Sequence, residues 1–278
     1  MSAAQLDRNG VRIYFDDRGA GMPVVFGHSF LCSGDMWRYQ IAALSERYRT
    51  INIDCRGHGR SGPAVASFTL YDLVDDVLAV LDHLEIGTAV WAGLSIGGMV
   101  ALRAALRAPS RVAGLVLVDT HAGAETIWKT LKYRALAIGA TRLGIRRFLP
   151  AVVPLMFGRT TLREAPELVR EWSERFAGVH MPSVLAGLDA LVRRDTVVDR
   201  LEEIIHPAVV IVGEEDRSLP PALSREIVEG LPNAELVTIP GAGHLSALEQ
   251  PAVVTATIAR FLAELDNRAY REDTDATT

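Results

Sequence analysis

The stretch "AVWAGLSIGGMVALRAA", residues 89–105, passes from an apolar run into an alanine-rich segment and holds Ser95 between glycines. Its first half is typical of a buried strand and its second half of a helix, so it predicts a strand that turns sharply into a helix. Glycine on both sides allows the close packing and the strained backbone of such a turn. A serine there exposes its hydroxyl at the carboxyl edge of a sheet, where open α/β sheets bind ligands.

Apolar runs alternate with longer amphipathic segments along much of the chain, and this alternation predicts a parallel sheet with helical crossovers. Between two of the runs, residues 69–85 carry leucine and valine at helical spacing, with Thr69 as the N-cap. We therefore predict one α/β core domain over residues 1–121 and 199–265. Seven runs are predicted to be strands: 11–17, 23–28, 49–55, 88–93, 112–119, 207–213 and 234–239.

The alternation stops between about His121 and Asp199, where helical patterns recur between prolines and no strand pattern is found. We predict that residues 122–198 form a helical lid inserted between two strands. Ordinary connecting helices of the same domain are the alternative. The tail 266–278 is polar and has no periodic apolar face, so we expect it to be disordered.

Composition excludes several classes of protein. The 278 residues include 29 basic and 34 acidic ones, and the only local concentration of basic residues is "TRLGIRRF" at 141–148, so we expect no nucleic-acid partner. No apolar run reaches the roughly 18 residues of a spanning helix, so we expect no membrane partner. Cys32 and Cys55 cannot build a disulfide framework, and the first residues do not resemble a secretion signal. We expect a cytoplasmic protein.

A serine hydroxyl is a poor nucleophile at neutral pH, so catalysis by Ser95 needs a base and a group that orients the base. His244 in "IPGAGHLSALEQP" and Asp216 in "VVIVGEEDRSLP" each follow a predicted strand directly. Both therefore belong to the same sheet edge as Ser95. Asp119, at the end of the predicted strand 112–119, is the alternative carboxylate.

The chain resembles α/β-hydrolases over nearly its whole length. The resemblance implies an α/β-hydrolase fold, with a mostly parallel eight-stranded sheet flanked by helices and an inserted lid. It also implies Ser95 as nucleophile, His244 as general base and acid, and Asp216 as its partner, with the backbone N–H groups of Phe30 and Ile96 as the oxyanion hole. The matching motifs are "GHSFLCSGDMW" (27–37), "DCRGHGRSG" (54–62), "GLSIGGMVAL" (93–102), "LVLVDT" (115–120), "VGEEDRSLP" (212–220) and "GAGHLSALEQP" (241–251).

Many family members carry His-Gly where this chain has His28-Ser29, and in this respect the chain is closer to the enol-lactone hydrolases. The implied function is a serine hydrolase that cleaves a small carboxylic ester or lactone through an acyl-enzyme, without cofactor or metal, as a monomer or homodimer. The many apolar residues of the predicted lid favour an apolar acyl or aromatic substrate. The candidate substrate-binding residues are Ser29, His121, Trp128, Met156 and Leu245.

Other functions of the same fold stay open. Carbon–carbon bond hydrolases and cofactor-free perhydrolases also use a serine, although perhydrolases tend to carry Met and Trp where this chain has Ile96 and Phe30. Dehalogenases and epoxide hydrolases are disfavoured because they need a carboxylate at Ser95. A ligand receptor with an intact triad and slow turnover is the alternative from another class. The remaining histidines have no metal-ligand spacing.

Overall fold

The computed structural model describes residues 2–64 and 66–275, which are built around one eight-stranded sheet. The strands are β1 (Ser2–Arg8), β2 (Val11–Arg18), β3 (Pro23–Gly27), β4 (Arg49–Asp54), β5 (Ala89–Leu94), β6 (Val112–Val118), β7 (Ala208–Gly213) and β8 (Ala234–Ile239). Their order is β1-β2-β4-β3-β5-β6-β7-β8. Strand β2 pairs antiparallel with β1 and β4, and all other pairs are parallel. The predicted α/β-hydrolase fold is confirmed.

Helices cover both faces of this sheet. The described chain holds α1 (Arg38–Leu44), α2 (Leu70–His83), α3 (Ile96–Arg107), α4 (Ile127–Leu143), α5 (Leu149–Met156), α6 (Arg159–Glu164), α7 (Pro166–Ala177), α8 (Met181–Val192), α9 (Pro221–Gly230), α10 (Ser246–Glu249) and α11 (Pro251–Asp275). One apolar layer joins α2, α3 and α9 to the sheet, and the other joins α1 and α11. Because both faces are covered, all residues of β5 and β7 are buried, as their continuous apolar sequences predict.

The predicted start of α2 is confirmed. Thr69 Oγ1 accepts a hydrogen bond from the Asp72 N–H at 3.3 Å, and the Asp72 carboxylate accepts one from the Thr69 N–H at 2.7 Å. The two side chains thus satisfy backbone donors reciprocally, which fixes the first turn of the helix.

Strand β1 was not among the seven strands predicted from the sequence. It lies at the edge of the sheet and pairs only with β2, for example Leu6 with Ile13. An edge strand of this kind buries few side chains, and the polar residues of "QLDR" give it no apolar run to recognise. It is held by backbone pairing with β2 and by the packing of Ala4 and Leu6 on the core.

Between β6 and β7 the described chain contains helices α4–α8 and no strand, as the alternation of the sequence predicts. Residues of α4, α5 and α8, among them Leu136, Val152 and Leu188, line a cavity together with Ser95. Within the described residues, no helix combines the length and the apolar character that crossing a membrane requires.

The expected disorder of the tail is wrong as far as Asp275, because α11 runs without interruption from Pro251 to that residue. Residues 252–275 contain neither glycine nor proline, so nothing in the local sequence ends the helix. A polar segment without an apolar face can therefore still continue a helix that begins before it. Residues 276–278 lie outside the described residues.

Candidate active site

Ser95 lies on the turn between β5 and α3 with φ 56° and ψ −114°, a conformation that non-glycine residues rarely adopt. The turn forces three backbones together. A Cβ on Gly93 would lie 2.1 Å from the carbonyl carbon of Gly97, and one on Gly97 would lie 2.3 Å from the Gly27 carbonyl oxygen. Only glycine fits at these positions, so the glycines predicted around the serine are required by packing.

The end of β6 holds this turn in place. The Ser95 N–H donates to the Val118 carbonyl at 2.9 Å, and Thr120 Oγ1 donates to the Ser95 carbonyl at 2.6 Å. Both backbone polar groups of Ser95 are thus satisfied, which stabilises its strained conformation. Its hydroxyl has no hydrogen-bond partner among the described residues, and Ser95 lines the cavity.

Asp216 and His244 come from the loops that follow β7 and β8, and both are buried. Asp216 Oδ1 accepts hydrogen bonds from the N–H groups of Ser218 and Leu219, at 2.8 and 2.9 Å. Its Oδ2 lies 2.8 Å from His244 Nδ1. The carboxylate is therefore held on its own loop and accepts a hydrogen bond from the Nδ1–H of His244, which leaves Nε2 of the neutral ring free to act as a base.

The environment of His244 favours its protonated form. Burial by itself lowers the pKa of His244, but the charge and hydrogen bond of Asp216, supported by the charges of Asp119 and Glu249, outweigh it and raise the pKa above its ordinary value. His244 lines the same cavity as Ser95. No hydrogen bond joins the two side chains in the described chain, and such contacts often tighten only when substrate is bound.

Two backbone N–H groups are candidates for the oxyanion hole because they are free to donate hydrogen bonds. Neither the Phe30 N–H nor the Ile96 N–H donates to any described residue. Ile96 is the first residue of α3, so its N–H lies at the positive end of the helix dipole. Phe30 precedes Leu31, whose φ of 66° bends the loop after β3.

His28 fixes the loop that carries Phe30. The Cys55 N–H donates to His28 Nε2 at 2.9 Å, so that nitrogen is unprotonated, and Nδ1 donates to the Ser29 carbonyl at 2.8 Å. A neutral imidazole with its proton on Nδ1 satisfies both contacts. The loop is closed by the Cys32 N–H, which donates to the Ser29 carbonyl at 3.0 Å.

Asp119, the alternative carboxylate, is fully buried and faces other partners. It accepts hydrogen bonds from the Gly213 N–H at 2.7 Å and from the Ser246 hydroxyl at 2.5 Å. Burial raises its pKa well above the ordinary value, and the nearby Asp216 charge adds to this. The structure therefore brings Asp216, and not Asp119, into hydrogen-bond contact with His244.

The cavity above Ser95 measures about 160 Å³ and is largely apolar. One part of its wall is polar and was not predicted from the sequence. There Arg194 and Glu125 form a buried ion pair at 3.3 Å, next to Tyr133 and Ser218. No local pattern signals this pair, because its members are 69 positions apart in the chain. The apolar lining includes Phe30, Leu136, Phe148, Val152, Met156 and Leu188.

Only some of the candidate substrate-binding residues line the cavity. Ser29 and Met156 line the cavity. His121 lies behind Arg194, 3.4 Å from it, and Leu245 is buried in the apolar layer of α1 and α11. The Trp128 side chain is 82% exposed and is not part of the cavity wall. Of the five candidates, only Ser29 and Met156 therefore belong to the proposed substrate site.

The described residues offer no group of three or more His, Cys, Asp or Glu side chains arranged to hold a metal ion. The two cysteines are unpaired: Cys32 is buried, and Cys55 is partly buried. The ring of His58 packs against those of His28 and Phe30, at 5.2 and 5.7 Å between centroids.

Comparison with known proteins identifies the family. The model of the alpha/beta hydrolase family matches residues 24–257. The chain is 28% identical over 242 residues to 3-oxoadipate enol-lactonase 2 of Acinetobacter baylyi, covering 86% of this chain and 89% of that protein. The structure of a thermophilic esterase from Thermogutta terrifontis superposes with a TM-score of 0.90 at 29% identity, covering 95% of this chain and 99% of the esterase. That of Est816, an N-acyl homoserine lactone degrading enzyme, superposes with a TM-score of 0.82 at 30% identity, covering 93% and 100%.

Proposed function

Because the chain belongs to the alpha/beta hydrolase family and is a hydrolase, we propose that it cleaves a carboxylic ester or lactone through an acyl-enzyme on Ser95. The observation that carries the proposal is the 2.8 Å hydrogen bond between Asp216 and His244, with His244 and Ser95 on the wall of one apolar cavity. The esterase and lactonase names of the relatives support the type of bond.

Acylation follows from these groups. His244 Nε2 takes the proton of Ser95 Oγ as the oxygen attacks the carbonyl carbon of the substrate. The negative oxygen of the tetrahedral intermediate accepts hydrogen bonds from the N–H groups of Phe30 and Ile96. The intermediate collapses when its carbon–oxygen bond to the leaving group breaks, and the leaving oxygen takes the proton from His244. In a lactone, that oxygen stays attached to the acyl group.

Deacylation repeats these steps with water as the nucleophile. His244 removes a proton from the water, the oxyanion forms again at the same two N–H groups, and Ser95 Oγ leaves with the proton. Asp216 keeps the imidazole in the tautomer that exposes Nε2 and stabilises the imidazolium that forms in each half of the cycle. The raised pKa of His244 supports this second role.

The cavity supports an apolar acyl chain or an aromatic group. Its wall is mainly aliphatic, and the side chains of Tyr133, Arg194 and Ser218 supply hydrogen-bonding groups at one part of it. A site with an apolar wall and few polar groups binds a substrate by its hydrocarbon part and orients it by the polar ones. Ser29, beside Phe30, adds a hydroxyl that has no hydrogen-bond partner among the described residues.

The decisive experiment measures hydrolysis of p-nitrophenyl esters from acetate to decanoate and of a series of γ-lactones, in the steady state and by stopped flow. We expect sustained turnover and a loss of at least about 10³-fold in Ser95→Ala. Ser110→Ala, at an exposed serine, is the matched control and should keep full activity. A single burst without turnover would instead favour a ligand receptor, and activity that survives in Ser95→Ala would remove the nucleophile from the proposal.

A further inference from the structure

The outer face of α4 is apolar and exposed. Ile127, Trp128, Leu131 and Ile138 are exposed by 77%, 82%, 53% and 54%. Ile127 and Trp128 are adjacent, and the other two follow three and then seven positions further on, so at about 100° per residue all of them lie within one side of the helix, with exposed Ala135 among them. We call this group of five residues the α4 stripe. Large exposed side chains clustered in this way are typical of interaction sites rather than of an ordinary surface.

The opposite side of α4 is apolar as well. Tyr133, Leu136, Ala137 and Ala140 line the cavity above Ser95. A helix with large apolar side chains on two opposite sides normally buries both of them. The cavity and the neighbouring helix α8 cover only the inner side, so the α4 stripe lacks a cover in the described chain.

The charge around the α4 stripe is positive. Residues 127–147 contain six basic residues and no acidic one, although the chain has a net charge of −5. Arg134 pairs with Asp189 and Arg146 with Glu174. The others include Lys132, Arg142 and Arg147, which have no acidic partner within 4 Å among the described residues. The basic stretch "TRLGIRRF" thus continues from the end of the helix that carries the stripe.

We propose that the α4 stripe docks on an anionic lipid surface. Tryptophan and aliphatic side chains insert into the boundary between headgroups and acyl chains, while flanking lysine and arginine bind anionic headgroups. Lying on a membrane needs no spanning helix, so this proposal does not require a long apolar run. The proposal does not depend on the proposed ester or lactone hydrolysis.

A second copy of the chain fits this surface less well. A two-fold interface would place the same surface of both subunits face to face. Lys132 and Arg142 of one subunit would then approach those of the other without acidic side chains of their own segment to compensate them. An anionic surface supplies the missing opposite charge.

The protein contains its own reporter for the test. Of the four tryptophans, Trp37, Trp91 and Trp172 are buried and Trp128 alone is exposed. We would titrate the full chain with vesicles of phosphatidylcholine alone or mixed equally with phosphatidylglycerol, following tryptophan emission and co-sedimentation. We expect a blue shift and sedimentation with the anionic vesicles, both weakened at high salt and on pure phosphatidylcholine.

Substitutions on α4 test whether the vesicles bind to the α4 stripe. Leu131→Ser with Ile138→Ser keeps Trp128 as reporter and should weaken vesicle binding at least tenfold, as a rough expectation from the lost apolar burial. Lys132→Ser and Arg142→Ser should each weaken it about fivefold. Ile205→Ser is the matched control, because Ile205 is 69% exposed but lies outside α4, and it should bind like the parent. Far-UV circular dichroism and turnover of a soluble ester verify that each variant is folded.

Two results would overturn the proposal. One is the absence of a blue shift and of sedimentation with anionic vesicles. The other is self-association in analytical ultracentrifugation that Leu131→Ser with Ile138→Ser abolishes, since a second copy would then cover the stripe. Neither result bears on ester or lactone hydrolysis, which soluble substrates test separately.

Discussion

Asp119 and Ser246 are joined twice: one carboxylate oxygen of Asp119 accepts from both the hydroxyl and the backbone N–H of Ser246, at 2.5 and 3.2 Å. The other oxygen accepts from the Gly213 N–H at 2.7 Å. Gly213 precedes the loop of Asp216, and Ser246 follows His244 by two residues. Asp119 therefore ties together the two loops whose side chains form the 2.8 Å hydrogen bond at the site.

The two carboxylates should respond differently to substitution. We expect Asp216→Asn to lower kcat by about 10⁴-fold with little change in Tm, because the wrong tautomer of His244 is stabilised. Asp119→Ala leaves buried donors unpaired, so it should mainly cost stability, about 1–3 kcal/mol for each donor. Steady-state kinetics and thermal denaturation separate the two effects. If folded Asp119→Ala loses more activity than Asp216→Asn, then Asp119 is the partner of the base.

The pH dependence of kcat/KM should report His244. The neutral imidazole is the base, so kcat/KM should fall as the pH drops through the pKa of His244. Since that pKa is raised, the midpoint should lie above the ordinary histidine value of about 6.5. Asp216→Asn removes the charge that raises it and should move the midpoint down. A rate that is independent of pH down to about 5 would contradict the assigned base.

Gly97→Ala should be incompatible with the serine turn. The new Cβ would lie 2.3 Å from the Gly27 carbonyl oxygen, so β3 and α3 would have to separate. We expect destabilisation of about 3 kcal/mol and loss of hydrolase activity in any protein that still folds. Gly87→Ala is the matched control, because a Cβ there meets nothing within 4 Å. Thermal denaturation of both variants is the measurement, and equal Tm values would show that the turn tolerates a side chain.

Removing one charge of the buried pair of Arg194 and Glu125 should lower the free energy of unfolding strongly. Glu125→Gln leaves the Arg194 charge without its partner, so we expect a loss of about 3–5 kcal/mol in the free energy of unfolding. Arg194→Met with Glu125→Leu removes both charges and should recover most of that loss. Urea denaturation of Arg194→Met, Glu125→Leu and the double variant gives the coupling energy. Additive effects would contradict a direct interaction between the two side chains.

The sequence was most informative where chemistry and strand order coincide. Ser95, Asp216 and His244 each follow a parallel strand, and parallel strands place their carboxyl ends at one edge. The sequence was less informative about which side of a helix faces the cavity. Because α4 is apolar on both sides, periodicity could not tell its inner side from its outer side, and Trp128 was assigned to the substrate site. The pair of Arg194 and Glu125 depends on packing between distant segments, which no local pattern encodes.

The close contacts of Gly27, Gly93 and Gly97 have a consequence for redesign. Backbone atoms of β3, β5 and α3 fix the serine turn, and none of these atoms belongs to residues 127–192. Most of the apolar wall around the cavity comes from that segment. Chimaeras that exchange 127–192 with the corresponding helices of a relative should therefore inherit the reactive groups from one parent and substrate preference from the other.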